Sequence, residues 1–123
     1  MSYQLTYKKD GEVLHVKVSG NRSFENVISI IKDIQLICIK QSTNRVLVDV
    51  KGLEGHLNTI EAYEIPASVF PKLRENNVIE KGAIVDREES RKNFSFFENV
   101  AVNRSFNLRF FTNSEDAIEW IRE

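Results

Sequence analysis

An α/β fold built on a mainly parallel sheet follows from three observations on this 123-residue chain. Val46-Leu-Val-Asp-Val50 is a short apolar run rich in β-branched residues, the mark of a strand buried on both faces. Amphipathic helical stretches separate such runs one at a time, which favours parallel pairing through right-handed crossovers. Asp10-Gly11, flanked by loosely alternating segments, marks a hairpin that adds one antiparallel edge strand. The order is therefore β-β-α-β-α-β-α-β-α: a mixed sheet of about five or six strands packed against helices, in one domain over residues 1–123.

Each element has its own local cause. Residues 3–8 alternate and lead into the hairpin. Leu14, Val16 and Val18 then point one way and His15 and Lys17 the other, and Gly20-Asn21 ends the strand. Ser23 stands at an N-cap position with Asn26 three residues on, an imperfect capping box. Phe24, Val27, Ile28, Ile31, Ile34 and Cys38 follow at helical spacing and carry the first helix to about Lys40. After the central strand a loop is expected over Gly52–Thr59, and Asn58 or Thr59 caps a second helix. Pro66 and Pro71 divide or kink that helix by removing backbone donors. Gly82–Asp86 is the next strand, Glu88 to about Asn103 a third helix and Phe106–Phe111 the last strand. Ser114 caps a final helix, Glu115–Arg122, whose first turn carries Glu115 and Asp116 where the helix dipole favours negative charge.

Composition excludes several classes of function. Lys and Arg total 17 against 18 Asp and Glu, so the basic footprint of a nucleic-acid binder is missing. One cysteine, Cys38, forms no internal disulfide and fits a reducing compartment. Lys32, Asp33 and Gln35 interrupt the apolar run of residues 28–39, so it does not span a membrane, and the N-terminus lacks a signal-peptide pattern. The expectation is a cytoplasmic protein without metal or cofactor, since His15, His56 and Cys38 fit no metal-ligand spacing.

The segment after the central strand is the candidate binding loop: Asp49, Gly52, Glu54, Gly55, His56, Asn58 and Thr59. In an α/β sheet the carboxyl ends of strands face helix N-termini, where ligands and partners meet the chain. Asp49 is read as an acceptor for loop amides, with loop orientation or a partner cation as its alternative role. Gly52 and Gly55 permit positive φ and close backbone approach. His56 is read as an exposed loop residue, Thr59 as a helix-start residue, and Glu88 and Glu89 beside Asp86 as first-turn acids. A second candidate surface is apolar. Phe94, Phe96, Phe97 and Val100 on the third helix, and Ile30 and Ile37 beside the core stripe of the first, exceed what one buried face needs. They suit a partner, a homodimer contact or an apolar pocket.

Element order and the loop after Val50 together resemble the STAS, or SpoIIAA-like, anti-sigma-factor-antagonist family, and more closely the small bacterial proteins grouped with STAS and CRAL-TRIO-type folds. The residues that carry the likeness are Val46-Leu-Val-Asp-Val-Lys-Gly-Leu-Glu-Gly, Val100-Ala-Val-Asn-Arg-Ser, Leu108-Arg-Phe-Phe and Asp116-Ala-Ile-Glu-Trp-Ile121. The resemblance implies a SpoIIAA-like fold and a regulatory protein-binding role. It also implies an Asp-Ser pair at the start of the second helix, with the Ser phosphorylated by a partner kinase. Here Leu57 and Asn58 occupy those two positions, and Thr59 carries the nearby hydroxyl.

The first expectation is therefore a non-enzymatic interaction module that binds another protein or itself. Binding of a small hydrophobic or lipid ligand, on the CRAL-TRIO likeness and the aromatic residues Phe94, Phe96, Phe97, Phe106, Phe110 and Phe111, is the alternative. A phospho-switch at Thr59 is a variant of the first. An enzyme would have to rest on Asp49, His56 and Asp86, which form no nucleophile–base–orienter pattern in sequence.

Overall fold

The computed structural model describes residues 3–58, 60–61, 64–65, 79–91 and 107–123. Within them lie strands β1 (Tyr3–Asp10) and β2 (Val13–Asn21), helix α1 (Phe24–Lys40), strands β3 (Arg45–Glu54), β4 (Lys81–Val85) and β5 (Asn107–Phe111), and helix α2 (Ser114–Arg122). The five strands form one sheet in the order β1-β2-β3-β4-β5. The β1–β2 hairpin is antiparallel and every other pairing is parallel, as expected. Because the strands run in sequential order, the parallel sheet has no point at which strand order reverses. The crevice that would locate a ligand by topology alone is therefore missing from it.

Period-two alternation sorts the side chains. Leu14, Val16 and Val18 of β2 and Val46, Val48 and Val50 of β3 share one face, where Ile30, Ile34 and Cys38 of α1 cover them. Val13, Leu47, Ala83 and Val85 lie on the opposite face beneath Ala117 and Ile121 of α2. The sheet is thus sandwiched between helices, and β3 and β4 bury residues on both faces, which is why Val46–Val50 is apolar apart from Asp49. Cations close the C-terminal end of α2 by adding donors to its last carbonyls, of which that of Trp120 also accepts the Glu123 amide. Lys81 Nζ donates to the Trp120 carbonyl at 2.6 Å and lies 4.3 Å from the Trp120 ring centre, and Arg45 donates to the Ile121 carbonyl at 3.1 Å.

Ser23 caps α1 as anticipated, its Oγ accepting from the Asn26 amide at 3.1 Å. The buried Asn26 side chain donates to the Asn21 carbonyl, tying the helix to the end of β2. The innermost line of α1 is Asn26-Ile30-Ile34-Cys38, four residues apart. Ile30 is accordingly a core residue rather than the surface contact suggested by its place beside the stripe, and Ile37 is partly buried against the same core. The large apolar residues of α1 that face outward are Leu36 and Ile39, 66% and 61% exposed.

Three further boundaries depart from the sequence reading. Strand β3 runs on to Glu54 instead of stopping at Val50, because β2 supplies partners as far as Asn21. Asn113, not Ser114, caps α2, its Oδ1 accepting from the Asp116 amide at 2.8 Å. Glu88–Ser90 forms a 3-10 turn where an α-helical start was expected. The rest of that third helix, with Phe94, Phe96, Phe97 and Val100, lies outside the described residues. So do Pro66, Pro71, Thr59 and Phe106. No helix among the described residues is long and apolar enough to cross a membrane.

Two measurements test these packing relations. Burial pushes the Cys38 thiol up to about 11. A thiol reagent near neutral pH should therefore label Cys38 at the rate of global unfolding, with no fast phase in the native protein. The Tyr3 hydroxyl donates to Asp33 at 2.6 Å, and that carboxylate bond holds its acidity back to about pH 12 from 10. The folded state thus binds the phenolic proton more tightly than the unfolded chain. Its stabilisation should be complete below pH 10 and lost as pH rises from 10 to 12. Denaturant titrations at pH 9 and pH 11.5 should show this loss in the native sequence and not in Tyr3→Phe.

Candidate functional site

The carboxyl ends of the parallel strands are organised around one residue, Arg22, between the end of β2 and the N-cap of α1. Its side chain is nine-tenths buried and meets Asp86, just beyond β4, with Nη1 to Oδ2 at 2.8 Å. Nη2 donates to the carbonyl of Val50 at 3.2 Å, with the Leu53 carbonyl at 3.5 Å. The Arg22 amide donates to the Glu54 carbonyl at 2.7 Å. Asp86, 1% exposed, uses its other oxygen to accept the Arg87 amide at 2.8 Å, while its own amide donates to the Phe111 carbonyl at 3.1 Å. Arg22 and Asp86 therefore draw together the ends of β2, β3, β4 and β5.

The loop beyond β3 leaves this clamp at once. Gly55 has φ of +93°, a left-handed conformation that side chains disfavour. His56 is exposed, and Leu57 is partly buried against the core. Asn58 is the N-cap of the next helix: its Oδ1 accepts the Glu61 amide at 2.8 Å, and the Glu61 carboxylate accepts the Asn58 amide at 3.2 Å. This reciprocal capping box leaves the Asn58 side chain engaged in the helix start. In the first turn Ile60 is 75% exposed, whereas Ile65 is buried. Five residues apart, the two point about 140° away from each other on a helix.

The other predicted site residues separate. Gly52 belongs to β3 rather than to a loop, and its lack of a side chain answers a close approach of strands. A Cβ there would lie 2.9 Å from Ser19 Cβ and 3.1 Å from the Val18 carbonyl, where the β2–β3 register shifts. Glu54 is exposed at the strand end, its carbonyl held by Arg22. Asp49 is mid-strand, its carboxylate accepting the Lys51 amide at 3.0 Å and facing Lys51 Nζ at 3.9 Å. Extended geometry puts it on the order of 15–20 Å upstream of the loop. It borders instead an open groove of about 300 Å³ with Lys17, His15, Leu47 and Ile118. Asp86 is committed to Arg22, and Glu88 pairs with Arg91 at 2.6 Å, which holds the Glu88 carboxyl below its ordinary range. Among the described residues, no group of His, Cys, Asp and Glu could hold a metal ion.

Sequence reasoning missed Arg22 and Ile60. An arginine immediately before a helix cap is the only trace of the first, and its partner is 64 residues away. The second has a trace in its phase, out of step with Ile65.

A family model described as SpoIIAA-like matches residues 13–122. An anti-sigma factor antagonist from Mycobacterium paratuberculosis superposes with a TM-score of 0.64 at 18% identity, covering 99% of this chain and 96% of that one. A protein with a SpoIIAA-like fold from Shewanella loihica superposes with a TM-score of 0.59 at 16% identity, covering 98% and 94%. No curated protein matches.

Two substitutions measure the local energetics. Gly52→Ala should cost about 1–3 kcal/mol in chemical denaturation, because backbone rather than a flexible side chain must yield. Arg22→Met alone should cost about 3–5 kcal/mol, because it strands the buried Asp86 carboxylate.

Proposed function

The chain belongs to the SpoIIAA-like family, and from that premise we propose that it is a non-enzymatic regulatory module that binds a protein partner. The contact surface is the Gly55–Asn58 loop with the first turn of the following helix. The observation that carries this reading is Ile60, 75% exposed one turn from a loop already held in shape. A large apolar side chain in water beside a rigid polar loop is the pattern of an interface anchor with its specificity rim. His56 and Glu54, both exposed, supply polar partners at the rim.

The family's switch would act at the position of Asn58. An amide accepts no phosphoryl group, and here it is engaged with Glu61. Binding is accordingly constitutive with respect to that position. The solved relative from Mycobacterium is named as an anti-sigma factor antagonist, which supports a protein rather than a small molecule as partner. Thr59 is the remaining hydroxyl for a phospho-switch; incubation with a co-encoded kinase and phosphate mapping would reveal it. Lipid carriage rests on Phe94, Phe96 and Phe97, and native mass spectrometry of freshly purified protein would show a bound acyl ligand.

A photo-crosslinking residue at position 56 or 60 should give a defined adduct with one partner, or with a second copy of the chain, in cells of the source organism. The same residue at position 115, on the far face, should not. Ile60→Asp should weaken the recovered interaction by about 2 kcal/mol or more, with the circular dichroism spectrum and melting temperature preserved. Equal adducts from all three positions, or full affinity in Ile60→Asp, would remove the loop as the contact surface.

A further inference from the structure

We infer that Arg22 is a positioning residue for the binding loop, and that through Asp86 it couples the shape of that loop to the turn after β4. The inference rests on the reading of the loop as a contact surface and names what controls its conformation. Arg22 contacts the end of β3 through three carbonyls, those of Val50, Leu53 and Glu54, so the chain reaches Gly55 with its direction already set. The Arg22 carbonyl also lies 3.8 Å from where a Cβ at Gly55 would stand, so the loop's first residue rests on the same backbone.

On its far side the guanidinium is held by a carboxylate whose second oxygen accepts the Arg87 amide, the residue that precedes the 3-10 turn Glu88–Ser90. The loop after β3 and the turn after β4 are thus joined through two side chains. A displacement of Asp86 must either move Arg22 or leave two buried charges apart.

The chemistry of the pair argues for placement over stability. Two ions are desolvated, and Arg22 Nε is buried without a hydrogen-bond partner among the described residues. Apolar side chains of similar volume would avoid both costs. What they could not do is aim a rigid fork of donors at the Val50 and Leu53 carbonyls and at a carboxylate together.

Hydrogen exchange of the full chain, read by mass spectrometry without any partner, tests the coupling. The double variant Arg22→Met/Asp86→Leu removes the clamp while filling its volume. Peptides covering residues 20–22, 52–61 and 86–90 should exchange roughly tenfold faster or more, while those covering 14–18 and 46–50 stay within about twofold. Arg22→Lys keeps the charge opposite Asp86 and loses the fork, and should accelerate 52–61 more than 86–90. Unchanged exchange over 52–61, or parallel acceleration of loop and core, would overturn the inference. If the double variant does not fold, the same comparison in Arg22→Lys decides. Because no partner is present, these outcomes are separate from the crosslinking result: a partner mapped elsewhere removes the contact surface and leaves the coupling, and the reverse holds equally.

Discussion

The buried pair Arg22–Asp86 is the constraint on which the upper end of the molecule depends. Parallel strands end in carbonyls that must find donors, and in many α/β proteins the amides of following helices and loops supply them. Here one guanidinium serves the end of β3 directly and the end of β4 through a carboxylate. Taking both charges out of water costs several kcal/mol per ion, returned by their mutual attraction and by the carbonyl and amide bonds around them. The outcome is a rigid rim at the carboxyl ends of the strands, from which the Gly55 loop projects.

Below that rim the molecule is an ordinary layered domain. α1 covers one face through Ile30, Ile34 and Cys38, and α2 the other through Ala117 and Ile121. The two ends of the sheet are closed by the same chemistry. Lys81 and Arg45 hold the last carbonyls of α2 at one end, as Arg22 holds the last carbonyls of β3 at the other. At both ends a cation adds a donor to backbone acceptors where an element stops. Where the loop enters the next helix, Asn58 spends its side chain on the capping box.

Some of this was legible from residues alone and some was not. Ser23 announced the start of α1, and Ile34 and Cys38 its buried line, because capping and helical phase are local. Lys51-Gly52 read as the beginning of a loop, yet it is strand, since pairing of Gly52 with Ser19 and of Leu53 with Gly20 outweighs a polar, glycine-containing sequence. Asn113 and Ser114 are both good caps, and the choice fell to the residue whose side chain reaches the Asp116 amide. Ile30 and Ile37 looked surplus to the first helix because a stripe drawn from sequence has no centre; packing against the sheet placed that centre at Ile30 and Ile34.

By itself the sequence determined the α/β class, the hairpin at Gly11, the mainly parallel pairing and the location of a loop before a helix that starts at Asn58 or Thr59. All of these follow from hydrophobic period, turn chemistry and capping, which act over a few residues. Only the tertiary structure decided that Asp49 and Asp86 do not belong to one site, that Gly52 answers a close strand contact, that Ile60 faces water, and that Arg22 holds the rim together. Each of these depends on which distant segments meet. An ion pair between residues 22 and 86 leaves no periodic signature in the chain, because its energy comes from burial and hydrogen-bond geometry that exist only once the sheet has formed.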